Sequence, residues 1–386
     1  MSMGIEELLT ILQFTGVIVG IGFALMVVSA LILTSRYRTV ESSKRAEQVR
    51  LVIPTIAEER VRSALIETLD HHVEKFPEYD VYCIVDEGST LLEELAARDD
   101  ISTVVVPEEY ETHAKAKGRA MHYFTETIVA NEPEYWYAFI DDDNRILDRS
   151  FLYEITHYEA EGYRAMNPVL VPRPGRSLVT FMADHIRYVD DLTIYRLFTG
   201  VIGKPYLGFH GELLCARGDV LTEIGFDRNS LVEDFAFALE LVKRDVPTWQ
   251  SSTRVSFLSP HDVSSFLKQR SRWYLGLSRY LPKAPRLTQF IVGTRMAIWT
   301  LAITSSWLFF PLWISGYGSA LPLVIFAVVL LSGMVYIVTT GIGAVRIGGL
   351  TGLALMFGVP LYAMLEHLVP IYSFINREDS FVVIDK

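Results

Sequence analysis

Charged side chains are missing from residues 8–35 and again from residues 296–345, while the chain between them alternates short apolar runs with amphipathic stretches. Each uncharged run exceeds the ~20 residues a helix needs to cross a bilayer. The first reads as a retained anchor, since no small-residue cleavage site follows it. The second is long enough for two spans joined at the turn-rich Ser315-Gly316-Tyr317-Gly318. A third stretch, 347–374, is apolar but interrupted by Pro360, Glu366 and His367. Charged groups at membrane depth usually have a partner, which leaves a full span, a re-entrant piece or an interfacial helix open there. The middle reads as a βα layered domain with a largely parallel sheet. Strands are expected at 49–52, 81–85, 103–106 and 137–140, and helices at 58–75, 115–129 and 234–244, where apolar residues recur at three and four positions.

Composition agrees with a membrane protein carrying one soluble domain: half of the 386 residues are hydrophobic, too many for an ordinary soluble enzyme. Glu6 and Glu7 precede the first run, and Arg36, Arg38, Lys44, Arg45 and Arg50 follow it. This asymmetry places the bulk of the chain in the cytoplasm. A formal charge of -11 argues against a nucleic-acid partner. The two cysteines, Cys83 and Cys215, lie among apolar residues and read as buried small hydrophobes.

The acidic clusters fall at expected strand ends, where open α/β sheets bind ligands. Asp141-Asp142-Asp143-Asn144 follows one strand directly, and three adjacent carboxylates repel unless a cation or solvent relieves them. Asp141 and Asp143 form a D-x-D pair suited to Mg²⁺ or Mn²⁺, although a solvated acidic turn has the same composition. Asp86-Glu87-Gly88-Ser89-Thr90 ends another strand and offers a carboxylate on a flexible turn. Glu233-Asp234 opens a helix, where it either complements the helix dipole or supplies a general base. Gln269-Arg270-Ser271-Arg272-Trp273 reads as an interfacial belt or as a sugar-diphosphate site, with Arg272 on the phosphates and Trp273 against a sugar ring.

In order and spacing, Ile53-Pro54-Thr55, Asp86 with Glu87-Gly88-Ser89, Lys117-Gly118-Arg119-Ala120, Asp141-x-Asp143, His210-Gly211, Glu233-Asp234 and Gln269-x-x-Arg272-Trp273 resemble family 2 glycosyltransferases. The resemblance runs from about residue 50 to 276, and the tail 381–386 is similar to the family's cytoplasmic ending. The segments HGELL at 210–214, VEDFAFAL at 232–239 and QRSRW at 269–273 look most like egghead-type beta-1,4-mannosyltransferases and their microbial relatives. The resemblance implies a GT-A fold, Asp234 as catalytic base, and Asp143 with Asp141 at the metal. It implies donor contacts from Pro54, Thr55, Glu58, Asp86, Lys117, Arg119, Asp141 and Arg272. Acceptor contacts would come from His210, Gly211, Glu233, Gln269 and Trp273. Three departures stand out: Glu87 where Asp is common, Val232 where a threonine would precede Glu233-Asp234, and His210-Gly211 in place of the cysteine motif of cellulose synthases. The last two weigh against processive cellulose or chitin synthesis.

The expected organisation is an anchor at 1–35, a cytoplasmic GT-A domain at 36–260, interfacial helices at 261–287, two to three spans at 288–374 and a tail at 375–386. A cytoplasmic tail would require that one of four apolar segments not cross fully. The expected activity is inverting transfer from a nucleotide-sugar donor, GDP-mannose or a UDP-hexose, to a lipid-linked or glycolipid acceptor at the bilayer. The alternatives are a processive polysaccharide synthase, a metal-dependent phosphoryl transferase acting on lipid phosphates, and a non-catalytic scaffold or transporter component.

Overall fold

Strand β1 (Val49–Pro54) alternates between two cores: Val49, Leu51 and Ile53 enter one apolar cluster, and Val52 the opposite one. Burial on both faces explains the apolar run from Leu51 to Pro54, as expected of a central strand in a parallel sheet, while Arg50 near its start pairs with Asp80 and Glu132. The computed structural model describes residues 4–304, 315 and 323–376. Its sheet adds β2 (Val81–Asp86), β3 (Ser102–Val106), β4 (Trp136–Ile140), β5 (Arg145–Ile146), β6 (Ala165–Arg173), β7 (Leu213–Arg217) and β8 (Thr248–Leu258), in the order β3-β2-β1-β4-β7-β6-β8-β5. The β1–β2, β1–β4, β2–β3 and β6–β8 pairs are parallel; β7 runs antiparallel to β4 and β6, and β5 antiparallel to β8.

One face is covered by α2 (Arg62–Lys75), α3 (Leu92–Ala96) and α5 (Ser150–Ala160), and the other by α4 (Lys117–Thr127), α7 (Gly218–Ile224) and α8 (Glu233–Lys243). The four strands and three helices expected from periodicity are present within a few residues of their expected bounds. Strands β5 to β8 were not expected. Pro168 sits at the irregularity in the β6–β8 register, where the missing N–H costs no ladder bond, and Gln250, Ser251 and Thr253 put buried polar groups into β8. Cys83 and Cys215 are both buried in the first core cluster, as expected.

Helix α1 (Ile5–Thr34) and residues 349–375 are long and apolar enough to cross a membrane. The latter contain α12 (Gly349–Leu355) and α13 (Val359–Ile375); α10 (Arg286–Ile303) and α11 (Leu323–Ile347) pack beside them. Apart from Ser315, the expected junction at 315–318 lies outside the described residues, as does the tail at 381–386. Helix α6 (Leu178–Asp190) runs into a π-helix (Asp191–Val201), and α9 (Val263–Tyr280) follows β8. In α6, Met182 and His185 are buried, and a Cβ at Gly343 of α11 would lie 2.8 Å from Met182 Sδ, so this face is packed.

Candidate active site

Strands β1, β2 and β4 are parallel, so their carboxyl ends, Pro54, Asp86 and Ile140, share one edge of the sheet. Antiparallel β7 starts opposite the end of β4, with Leu213 facing Ile140, which brings His210, Gly211 and Glu212 beside the acidic loop. Above this edge lies a cavity of about 640 Å³ lined by Pro54, Thr55, Asp86, Lys117, Asp141, Asp143, His210, Gly211, Glu233, Asp234, Gln269, Arg272 and Trp273. Two expected donor residues lie outside the lining. Glu58 is exposed and pairs with Arg60 at 2.8 Å, and Arg119 reaches the site only through its ion pair with Asp86.

The mutual repulsion of the acidic loop is relieved partly by the protein itself. Lys117 Nζ donates to Asp141 Oδ1 at 2.6 Å and to the Gly211 carbonyl at 2.7 Å. Burial works against the Lys117 ammonium, but Asp141, Glu233 and Asp234 outweigh it and hold its pKa above the ordinary value. Ala116, immediately before Lys117, adopts φ +49°, a conformation costly for a residue with a Cβ, so the turn that aims this lysine is strained. Thr55 Oγ1 donates to Asp142 Oδ2 at 2.8 Å, and Arg173 donates to the Asp143 carbonyl at 3.0 Å. Asp143, only 6% exposed, lines the cavity. No group of three or more His, Cys, Asp or Glu suited to a metal occurs among the described residues. The D-x-D pair nevertheless fits Mg²⁺ or Mn²⁺, which typically take one or two carboxylates and complete their shells with phosphate oxygens and water.

Asp234 stands in the first turn of α8, and its Oδ1 accepts the Phe235 N–H at 2.7 Å. Burial, then the neighbouring Glu233 carboxylate, push its carboxyl up to about 7, against the pull of Lys117. A base with a pKa near the working pH combines a useful deprotonated fraction with proton affinity. Gly211 packs closely on these groups: a Cβ there would lie 3.2 Å from Asp234 Oδ2 and 3.7 Å from Lys117 Nζ.

Several side-chain pairings around the site were not read from the sequence. Buried Asp191 accepts from the Leu170 N–H at 2.7 Å and meets His210 Nε2 at 2.5 Å, while the Tyr195 ring lies 4.5 Å from the His210 ring. Arg187 pairs with Glu212 at 2.5 Å. Burial opposes the ionised form of Glu212, yet Arg187 and His210 prevail and bring its carboxyl down to about 2. Trp273 is contacted by two guanidinium groups, with Arg270 4.2 Å and Arg187 4.7 Å from the ring centroid. Arg270 is itself held by Asp184 at 2.5 Å and Glu366 at 3.0 Å. The only sequence signal for this network was Glu366, a carboxylate in an apolar run that needed a partner.

Residues 136–365, more than half the chain, match the family described as "Glycosyl transferase family group 2". The chain belongs to this family. No curated protein is significantly similar in sequence. Among solved structures, a mannosyltransferase from Pyrobaculum calidifontis, PcManGT, in complex with GDP-Man and Mn2+, is similar over 93% of this chain and 99% of that chain. At 14% identity and a TM-score of 0.55, this likeness shows the fold alone, the GT-A arrangement. S. aureus TarS is 12% identical over 84% of this chain and 55% of its own, with a TM-score of 0.39, too low to carry weight. In this family 2 glycosyltransferase the cavity sits at the carboxyl edge of the parallel strands, where open α/β sheets bind ligands.

Proposed function

We propose that the chain is a membrane-bound, metal-dependent inverting glycosyltransferase that moves one sugar from a nucleotide-sugar donor to a hydroxyl of a lipid-linked or glycolipid acceptor. The observation that carries this reading is the convergence of Asp86, Asp143, Asp234 and Trp273, from separate stretches of chain, on one cavity. Asp86 contacts the nucleotide, Asp141 and Asp143 hold Mg²⁺ or Mn²⁺, and Arg272 binds the donor diphosphate. When bound, the cation supplies electrostatic stabilisation to the departing diphosphate. Asp234 takes the proton from the acceptor hydroxyl as its oxygen bonds to the anomeric carbon. The bond from that carbon to the diphosphate oxygen breaks, and the configuration inverts. Lys117 keeps Asp141 in place, and Trp273 with His210 and Gln269 faces the acceptor.

Insertion in a bilayer is supported by the exposed apolar residues of α1, among them Ile11, Ile18, Leu25 and Leu31, and of α13, Leu361, Ile371 and Phe374. In this reading 36–260 form the cytoplasmic catalytic domain, 261–287 lie at the interface and 288–374 form the membrane region. The likeness to egghead-type sequences and the GDP-Man bound by PcManGT favour GDP-mannose as donor. A panel of GDP-mannose and UDP-hexoses, each with Mn²⁺ and a glycolipid acceptor and analysed by mass spectrometry, tests the assignment. One donor should add a single hexose to the acceptor. Long product ladders would identify a processive synthase, and no product from any donor would contradict the proposal.

A further inference from the structure

The catalytic cavity does not end at the acceptor residues. Its lining continues between the apolar helices, with Val19 and Phe23 of α1, Ile298 and Ala302 of α10, Ile337 of α11 and Ala363 of α13. At the junction of the two ends, Arg295 pairs with Asp190 at 2.5 Å, Tyr336 bonds His367 at 2.8 Å, and Trp299 Nε1 donates to the Glu366 carbonyl at 2.8 Å. These contacts pair most of the polar groups at the junction, and the wall beyond them is mostly aliphatic. A threading sugar chain would lose its water hydrogen bonds there without replacement, which is costly. A hydrocarbon chain loses nothing.

We propose that this inter-helical end is a binding slot for a single hydrocarbon chain, the tail of an amphiphilic acceptor whose sugar hydroxyl reaches Asp234. The slot rests on the reading of the chain as a transferase to a lipid-borne acceptor and adds where the lipid part is held. The tail lies inside the bundle, between α1, α10, α11 and α13, rather than on their outer faces. Continuity with the carboxylate-lined end makes head and tail parts of one site. Gly333 of α11 also lines the slot, and a Cβ there would meet no atom within 4 Å, so a larger side chain at this position projects into space that the tail would use.

The test is photolabelling of the full chain in phosphatidylcholine nanodiscs by a dodecyl glucoside bearing a diazirine at the chain end, with labelled peptides mapped by mass spectrometry. Label is expected on the inward residues Val19, Phe23, Ile298 and Ala302, falling by about tenfold in Gly333→Leu and Ala363→Leu, because a filled apolar pocket discriminates at that level. Melting profiles of both variants verify the fold. Label confined to outward residues such as Ile18 and Leu25 would overturn the slot. So would equal labelling of the inward residues by a diazirine phosphatidylcholine, which would make them a bulk-lipid site, or unchanged labelling in folded variants. Labelling requires no turnover, so a failed transfer assay with positive inward labelling would refute the transferase reading separately from the slot.

Discussion

Glu366, inside an otherwise apolar helix, accepts a hydrogen bond from Arg270 Nε at 3.0 Å. Arg270 in turn lies against the Trp273 ring, so a carboxylate from the C-terminal helices fixes the aromatic face of the catalytic cavity. Asp184 still pairs with Arg270 when Glu366 is removed, so the loss should stay below the about 3–5 kcal/mol of a buried ion left with no partner. Glu366→Ala should therefore lower the melting temperature and raise the acceptor KM more than the donor KM. Glu366→Gln, which keeps an acceptor oxygen, should fall between. Equal stability and unchanged acceptor KM in Glu366→Ala would detach this pair from the site.

Asp234 supplies a pH signature of known sign. With its carboxyl raised to about 7, the basic form grows as pH rises through neutrality, so kcat/KM should climb across that range. Asp234→Asn should abolish transfer. A raised carboxyl pKa means the folded chain holds a proton that the unfolded chain releases near 3.8, so this group's contribution to stability declines as pH rises from about 4 to 7. The inactive Asn variant should consequently melt above the parent at pH 8 when no donor is present. A less stable variant at that pH would contradict the burial of a strained charge.

Gly276 of α9 packs against the residue preceding the base pair: an added Cβ would fall 2.7 Å from Val232 Cγ1. Overpacking of this kind costs about 1–3 kcal/mol. Gly276→Ala should destabilise the chain and slow turnover by displacing Glu233 and Asp234, and Val232→Ala in the same chain should restore part of both. Additive effects in a double-mutant cycle of melting and kcat would rule out the contact.

The parallel half of the sheet was legible because β1, β2 and β4 are buried on both faces and read as short apolar runs, interrupted only by Arg50 in β1, with Asp86 and Asp141 at the ends of β2 and β4. Asp234 could be placed because an acidic pair opened a clear amphipathic helix. The antiparallel half was hidden: Pro168 and Pro172 interrupt β6, and the buried Gln250, Ser251 and Thr253 give β8 the composition of a loop. Asp191, Arg187 and Glu212 were illegible as partners because each pairs between elements far apart in the chain: Arg187 of α6 meets Glu212 before β7, and Asp191 at the start of the π-helix meets His210.

Divalent cation dependence should run through Asp143. With Mn²⁺ present, Asp143→Ala should lose several kcal/mol of transition-state stabilisation, on the order of a thousandfold in kcat. Its melting profile should stay close to the parent's. Chelation of the parent should reproduce the loss, and re-addition of Mn²⁺ should restore the parent and not the variant. Near-parental turnover in Asp143→Ala would remove this carboxylate from the metal site.

The most direct measurement follows the purified chain with its preferred nucleotide sugar, Mn²⁺ and a glycolipid acceptor, recording nucleoside diphosphate release together with the proton NMR signal of the new anomeric centre. Release should match acceptor glycosylation one for one, with the product's anomeric configuration opposite to the donor's and both signals absent in Asp234→Asn. Retained configuration, or undiminished transfer by Asp234→Asn, would contradict a single displacement driven by this base.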